Sequence, residues 1–370
     1  MIDPVDVGIV GTSWWADSMH LPALANHPHA KIDAICGRDV IKAKQMAERW
    51  HIPYVYADYH DMIEDRRLDA VVISTSNDSH YPIAMEAMQA GLHVLCEKPL
   101  ALTYAQAQEM ADFAAAKNLK TLVPFTYGFM PTARFLKELI TDGYIGRPYH
   151  LNMRYYTGYA RNGEYQWRFD LGKAGAGVVG DLGTHFFYIA HMLYGDVKSV
   201  SCHLTHLVER VPTDPDGKPY EVGDDGAIIT LQFENGASGV IQVTAVCYED
   251  TPFGQTHHME FHGSGGTLYS YTDWATVQMV SGARVGEGQV KPLEIPEHIW
   301  AGARRDTVHN TYRDIFREQD NMTRGFITAI VEDKQPMPDF QIGAKIQRIL
   351  AAAIKSHQES RWIDVSSITT

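Results

Sequence analysis

The 370-residue chain is 45% hydrophobic, 11% aromatic and 21% charged, ordinary globular usage that excludes a disordered or fibrous protein. Its 32 Lys and Arg against 45 Asp and Glu give a formal charge of −13. Such a surface repels nucleic acid and anionic membrane unless a local basic patch outweighs it, and none is visible. The start, Met-Ile-Asp-Pro-Val-Asp, carries acid where a secretory signal needs Lys or Arg. No run approaches the ~18 apolar residues of a membrane span, so a cytoplasmic protein is expected. Cys36, Cys96, Cys202 and Cys247 lie far apart without CxxC spacing and read as reduced thiols.

From the N-terminus, short β-branched runs alternate with helical patterns. Strands are expected at Val5–Val10, Lys31–Cys36, Ala70–Ser74, His93–Cys96 and Lys120–Pro124. Between them, Pro82 suits a first helical turn and Gly91 a helix stop. Thr103-x-x-Gln106 reads as a capping box opening a helix to about Lys117. This alternation predicts a doubly wound parallel sheet over residues 1–126. After Pro124 the pattern changes. A helix is expected over Thr126–Ile140 and a turn over Asp142–Gly146. Strands follow at His150–Thr157, Ser199–Val208, Gly226–Phe233, Ala237–Val246, His257–Phe261 and Thr267–Tyr271. Hairpin cues such as Glu234-Asn235-Gly236 make the sheet mostly antiparallel, so 127–370 reads as an α+β domain. Val211–Gly226 reads as a surface loop, and a core-packed helix is expected at about 341–358.

Five features carry chemistry. The first is Gly11-Thr12-Ser13-Trp14-Trp15-Ala16, where a strand turns into a helix. Gly11, Ser13 and Ala16 occupy the G-x-G-x-x-G/A positions, with Ser in place of the second glycine. A pyrophosphate there would meet the helix N-terminal amides. The second is Gly37-Arg38-Asp39 at the end of the second strand. An acid grips the ribose of NAD, whereas Gly37 followed by Arg38 favours NADP; a stacked or merely solvated Arg38 is the alternative. The third and fourth are Ser74–His80 and Cys96-Glu97-Lys98-Pro99-Leu100, both at C-terminal ends of parallel strands, where ligands bind in open α/β sheets. The fifth runs from Trp167-Arg168 through Gly180-Asp181-Leu182-Gly183-Thr184-His185. Asp181 and His185, four apart, share one helix face as a candidate proton relay. No third ligand at a convincing spacing accompanies them, so no metal is expected.

Taken in order, these features resemble the glucose–fructose oxidoreductase/inositol dehydrogenase/MocA (Gfo/Idh/MocA) family over nearly the whole chain. The resemblance rests most on Glu97-Lys98-Pro99 combined with Asp181-x-Gly183-x-His185. It implies a Rossmann domain followed by an open, mostly antiparallel sheet, and NAD(P)-dependent oxidation or reduction of sugars, polyols and related compounds. It places Lys98 beside nicotinamide and substrate, makes His185 the acid/base, and has Asp181 orient it or bind a neighbouring hydroxyl. Glu97 would help fix the nicotinamide ribose, and Thr75, Asn77 and His80 would line the cofactor cleft. Gly11, Thr12, Ser13, Trp14, Gly37, Arg38 and Lys98 complete the expected cofactor contacts. Lys98, Trp167, Arg168, Asp181 and His185 are the expected substrate contacts. Gly128 stands where the family often has Arg, and Tyr188 where Asp often follows the histidine, which bears on the substrate pocket. A homodimer or homotetramer is expected. The rival readings are a nicotinamide-recycling glycosidase or lyase of the same fold, and a non-catalytic ligand sensor.

Overall fold

A computed structural model describes residues 3–251 and 253–370. The chain divides into two compact units. One comprises residues through Pro124 with Arg313–Lys345 and Thr370, the other Phe125–Tyr312 with Ile346–Thr369. From sequence, everything after 126 is expected in the second domain, and the structure differs over Arg313–Lys345. Those helices carry no compositional break that would betray where they pack. They pack on the first sheet: Val123 donates its amide to the Pro338 carbonyl at 2.9 Å, and Thr323 and Thr328 hydrogen-bond His20 and His27.

The first unit holds a parallel sheet, as expected, with six strands in the order β3-β2-β1-β4-β5-β6, one more than the five expected. Its strands are β1 (Val5–Val10), β2 (Ala30–Cys36), β3 (Tyr54–Tyr56), β4 (Ala70–Ile73), β5 (His93–Cys96) and β6 (Thr121–Leu122). The central strands are largely apolar and buried: Val7, Ile9, Ala70, Val71, Val72, Ile73, Val94 and Leu95 have no exposed surface. Strand order reverses between β1 and β4, and a doubly wound sheet binds ligands in the crevice at such a switch.

The second unit holds nine strands: β7 (Pro148–Thr157), β8 (Val197–Thr205), β9 (Gly226–Phe233), β10 (Ser238–Thr244), β11 (Gln255–Gly263), β12 (Gly266–Asp273), β13 (Val277–Arg284), β14 (Lys291–Leu293) and β15 (Ile363–Asp364). Their order is β14-β13-β12-β11-β7-β10-β9-β8-β15. Pairing is antiparallel except between β10 and β7, so the sheet is mixed. The short edge strands β14 and β15 escape sequence reading because two or three residues carry no periodicity. The expected strand to Val208 stops at Thr205, since the amides of Leu207 and Val208 bond the Asp225 carboxylate at 2.7 and 2.8 Å instead of a neighbouring strand. The helix expected over Thr126–Ile140 is interrupted. Thr126–Phe129 form a 3-10 turn and the α-helix spans Pro131–Thr141, because the residue before a proline is driven extended; Met130 has ψ 147°.

The capping box at the Tyr104–Ala116 helix is only half made. Thr103 Oγ1 accepts the Gln106 amide at 3.2 Å, but the buried Gln106 Oε1 finds no partner among the described residues. Thr103→Ala therefore removes the one working cap and should cost about 1 kcal/mol, read from the urea midpoint at unchanged m-value.

Candidate active site

In the first unit the chain leaves β1 at Gly11, whose φ of 114° is open to glycine. A Cβ there would lie 2.2 Å from the Ser74 carbonyl oxygen, so β1 and β4 approach as closely as their backbones allow. Ser13, the departure from the glycine pattern, turns its side chain back onto the fold. Its Oγ accepts the Ala16 amide at 3.0 Å and meets Ser74 Oγ at 2.8 Å. The hydroxyl thus caps the helix and ties the turn to the neighbouring strand end.

The helical run after this turn widens at Ala16–His20 into a π-turn, where the Leu21 amide reaches back to the Ala16 carbonyl. Pro22 explains it: proline has no N–H for the carbonyl four residues earlier, and its ring crowds that carbonyl. The Ser18 carbonyl so released accepts Arg317 Nε at 2.8 Å. Widening carries Trp15 and His20 to Glu97, at the end of β5. Glu97 Oε1 accepts Trp15 Nε1 at 2.7 Å and His20 Nε2 at 3.0 Å, and Oε2 takes the Lys98 amide at 3.3 Å. His20 is fully buried, and its Nδ1 pairs with Thr323 Oγ1 at 2.7 Å. Glu97 is therefore an anchor that fixes the backbone beneath Lys98. Trp15, His20 and Thr323, which complete the anchor, carry no spacing that marks them in sequence.

His80 differs from expectation. With 0% of its surface exposed, it lines no cleft. Its Nδ1 donates to the Pro99 carbonyl at 2.9 Å and its Nε2 lies 3.4 Å from the Thr75 carbonyl, so it braces the turns after β4 and β5 against each other. Burial lowers its pKa and keeps the ring neutral. Thr75 is half-buried and Asn77 buried at the same strand end. At the end of β2, a Cβ on Gly37 would meet Thr12 Cγ2 at 2.5 Å, so glycine there is set by packing against the dinucleotide turn. Arg38 is exposed, and Asp39 caps the helix Val40–Trp50 through the Lys42 amide at 3.0 Å. Trp14 is 70% exposed beside the turn.

In the second unit Asp181 and His185 lie on one helical run that again opens as a π-turn, Val179–Gly183, before the α-helix Thr184–Tyr194. Thr184 Oγ1 donates to the Gly180 carbonyl at 2.7 Å, occupying an acceptor within the wide turn. Asp181 Oδ2 accepts the Tyr159 hydroxyl at 3.0 Å and pairs with Arg168 Nε at 3.3 Å, while the Arg168 guanidinium stands over the Trp167 ring. The structure thus joins Trp167, Arg168 and Asp181 as expected and adds Tyr159, which sequence reading misses. His185 is 5% exposed, with the Tyr127 ring 4.4 Å and the Phe125 ring 6.4 Å away, centroid to centroid. Among the described residues no cluster of three His, Cys, Asp or Glu stands together as a metal site. None of the described helices is long and apolar enough to cross a membrane.

Buried Asp224 holds this helix at its start. Its two carboxylate oxygens accept the amides of Gly177 at 3.0 Å and Val179 at 2.8 Å, and a Cβ on Gly177 would lie 2.0 Å from the Asp224 carbonyl oxygen. Burial outweighs those two bonds and pushes the carboxyl up to about 7. A raised folded-state pKa means the native protein holds this proton more tightly than the unfolded chain. The resulting stability is full below about pH 4 and lost as pH rises through about 7. Urea midpoints of wild type and Asp224→Asn between pH 4 and 8 should differ in slope, the wild type alone losing stability over that interval. Parallel curves would show that Asp224 ionises at an ordinary carboxylate pKa.

Comparison with known proteins shows the family and the fold. The sequence model of the Gfo/Idh/MocA oxidoreductase family described as an NAD-binding Rossmann fold matches residues 5–125, and that of its C-terminal alpha/beta domain matches 137–365. The levoglucosan dehydrogenase of Pseudarthrobacter phenanthrenivorans is 27% identical, with 88% of this chain and 87% of that protein covered. The D-glucoside 3-dehydrogenase of Escherichia coli is 26% identical, with 98% of each covered. The solved structure of levoglucosan dehydrogenase with NADH shares the fold at a TM-score of 0.86 and 24% identity, covering 99% of this chain and 100% of that one.

Proposed function

The chain belongs to the Gfo/Idh/MocA oxidoreductase family, and from that premise we propose a nicotinamide-dependent dehydrogenase that moves a hydride between cofactor and a hydroxyl or carbonyl of a sugar, cyclic polyol or sugar derivative. The observation that carries the reading is the placement of Asp181, held by Tyr159 and Arg168, and His185 on one helical run, in a chain that also bears a dinucleotide turn. The residues present fit the cofactor. The backbone at Gly11 leaves no room even for a Cβ, and Ser13 is folded away onto Ala16 and Ser74. Gly11, Thr12, Ser13 and Trp14 would hold its pyrophosphate at the helix N-terminus. When bound, a nicotinamide accepts or returns the hydride. In the oxidative direction His185 takes the hydroxyl proton, and Lys98 stabilises negative charge developing on the oxygen. Asp181 would orient His185 or bind a neighbouring hydroxyl.

The test is purified protein with NAD+ or NADP+ and a panel of levoglucosan, a methyl D-glucoside and myo-inositol, followed by nicotinamide absorbance. Reduced cofactor equal to sugar consumed supports a dehydrogenase. Product without net reduction favours the recycling glycosidase or lyase, and binding without turnover favours the sensor. Lys98→Ala and His185→Ala should each lower turnover by about a hundredfold or more at unchanged melting temperature. Near-normal rates in both would remove them from the mechanism.

The preference proposed is for NADP(H). Asp39, which could have neutralised Arg38 or turned to the ribose, is engaged as a helix cap, leaving Arg38 to face a 2′-phosphate. Because a side chain at 37 collides with Thr12, Arg38→Ala is the cleaner probe. It should shift the kcat/KM ratio towards NAD(H) by about tenfold. An unchanged ratio would leave Arg38 a solvated residue. The oligomer proposed is a homodimer or homotetramer formed on the open sheet. Pairing register puts Ile228, Gln242, Arg154, His258, Tyr271 and Met279 in one row across six strands, with Ile228 and Met279 more than a third exposed.

A further inference from the structure

The residues around His185 extend well beyond the expected set. Tyr127 lies in the short 3-10 turn Thr126–Phe129, with its ring tilted 40° against the His185 imidazole at 4.4 Å. Two strands and the residue after a third hold that ring in place. Its hydroxyl meets the Tyr155 hydroxyl of β7 at 2.6 Å, and Gln255 Nε2 of β11 donates to it at 3.4 Å. The ring also packs against His257 of β11 and Trp274, just beyond β12, at 4.6 and 5.5 Å. His257 Nε2 accepts Trp274 Nε1 at 3.2 Å and lies 3.2 Å from Gln255 Nε2. With that nitrogen accepting, the imidazole proton sits on Nδ1 and the ring is neutral, as its burial requires; burial pushes its pKa down to about 3. The whole cluster is uncharged. It offers a fixed aromatic surface beside His185 rather than a second acid or base.

We infer that Tyr127 is a positioning residue for His185: its ring, clamped by Tyr155, Gln255, His257 and Trp274, fixes the imidazole plane for proton transfer. This rests on the reading of His185 as the acid/base. A base loses rate steeply when its lone pair swings off the line to the proton, and a stacked ring restrains that rotation without sharing the proton. The ring, more than the hydroxyl, is therefore the active element.

The experiment compares Tyr127→Phe, Tyr127→Leu and His185→Asn in the full-length enzyme, using the fastest panel sugar with saturating nicotinamide cofactor. Tyr127→Phe keeps the stacked surface and should retain kcat within about threefold. Tyr127→Leu should lower kcat by about thirtyfold while leaving KM for the sugar and for the cofactor within about threefold, because binding groups are untouched. Melting temperatures identify any variant that fails to fold, and Tyr127→Met then replaces Leu as a ring-free side chain of similar bulk. A normal kcat in a folded ring-free variant overturns the inference. So does a Phe variant as slow as Leu, which would put the effect in the hydroxyl. If His185→Asn loses rate while a ring-free variant does not, only the positioning role of Tyr127 falls. If His185→Asn turns over normally, the acid/base reading falls and this inference with it.

Discussion

A buried backbone carbonyl must find a donor, and in this chain that requirement shapes both regions where chemistry is expected. A regular α-helix satisfies each carbonyl four residues on, which leaves its geometry no freedom. Pro22 withdraws one donor from the first helix, so the helix widens at Ala16–His20 and the released Ser18 carbonyl is taken by Arg317. Val179–Gly183 widens too, there without a proline, and Thr184 supplies a hydroxyl to the Gly180 carbonyl. A wide turn changes which side chains share a face. In the first unit that change carries Trp15 and His20 onto Glu97, and in the second it governs how Asp181 and His185 are displayed.

Both regions are consequently built from anchored groups. Glu97 spends its carboxylate on Trp15, His20 and the Lys98 amide; Asp181 spends Oδ2 on Tyr159 and Arg168; Asp224 spends both oxygens on the amides that open the helix. Each of these carboxylates holds backbone or side chain in place. Preorganisation of this kind is what hydride transfer needs from protein, since the cofactor supplies the difficult bond chemistry.

The parts legible in sequence are those encoded locally. Strand β1 with Gly11 and the ends of β4 and β5 depend on residues within a few positions of one another, and the structure places them as read; Asp181 and His185 share one helical run, but the π-turn at Val179–Gly183 replaces the regular spacing that would set them on one face. The parts that were not legible depend on distant partners. His80 reads as a cleft residue by its position, yet burial turns it into a brace between Thr75 and Pro99. Thr323 lies 303 residues from His20, and no pattern announces that they meet. Tyr127 is hidden for another reason: Pro131 splits an apparently continuous helix and gives Thr126–Phe129 a separate 3-10 turn, the turn that carries the Tyr127 ring.

The departures from the family pattern can be sorted by the same packing argument. Ser13 is compensated locally, since its hydroxyl replaces what the missing glycine would have left open with a helix cap and a tie to Ser74. Gly128 and Tyr188 count as one departure rather than two. The Tyr188 ring stacks on Phe125 at 4.9 Å and 16°, and a Cβ at position 128 would come within 2.4 Å of it. A ring at 188 in this position and any side chain at 128 therefore exclude each other, so a charged residue at 128 could be introduced only if the ring moved. The consequence lies in the character of the surface one helical turn beyond His185. Where a cation at one position and a carboxylate at the other would bring two charges, this chain presents stacked rings, and burial pushes the Tyr188 hydroxyl up to about 12, so it stays neutral. Phe125 is only 1% exposed, so what the mutual exclusion of 128 and 188 leaves beside His185 is a buried, uncharged aromatic stack.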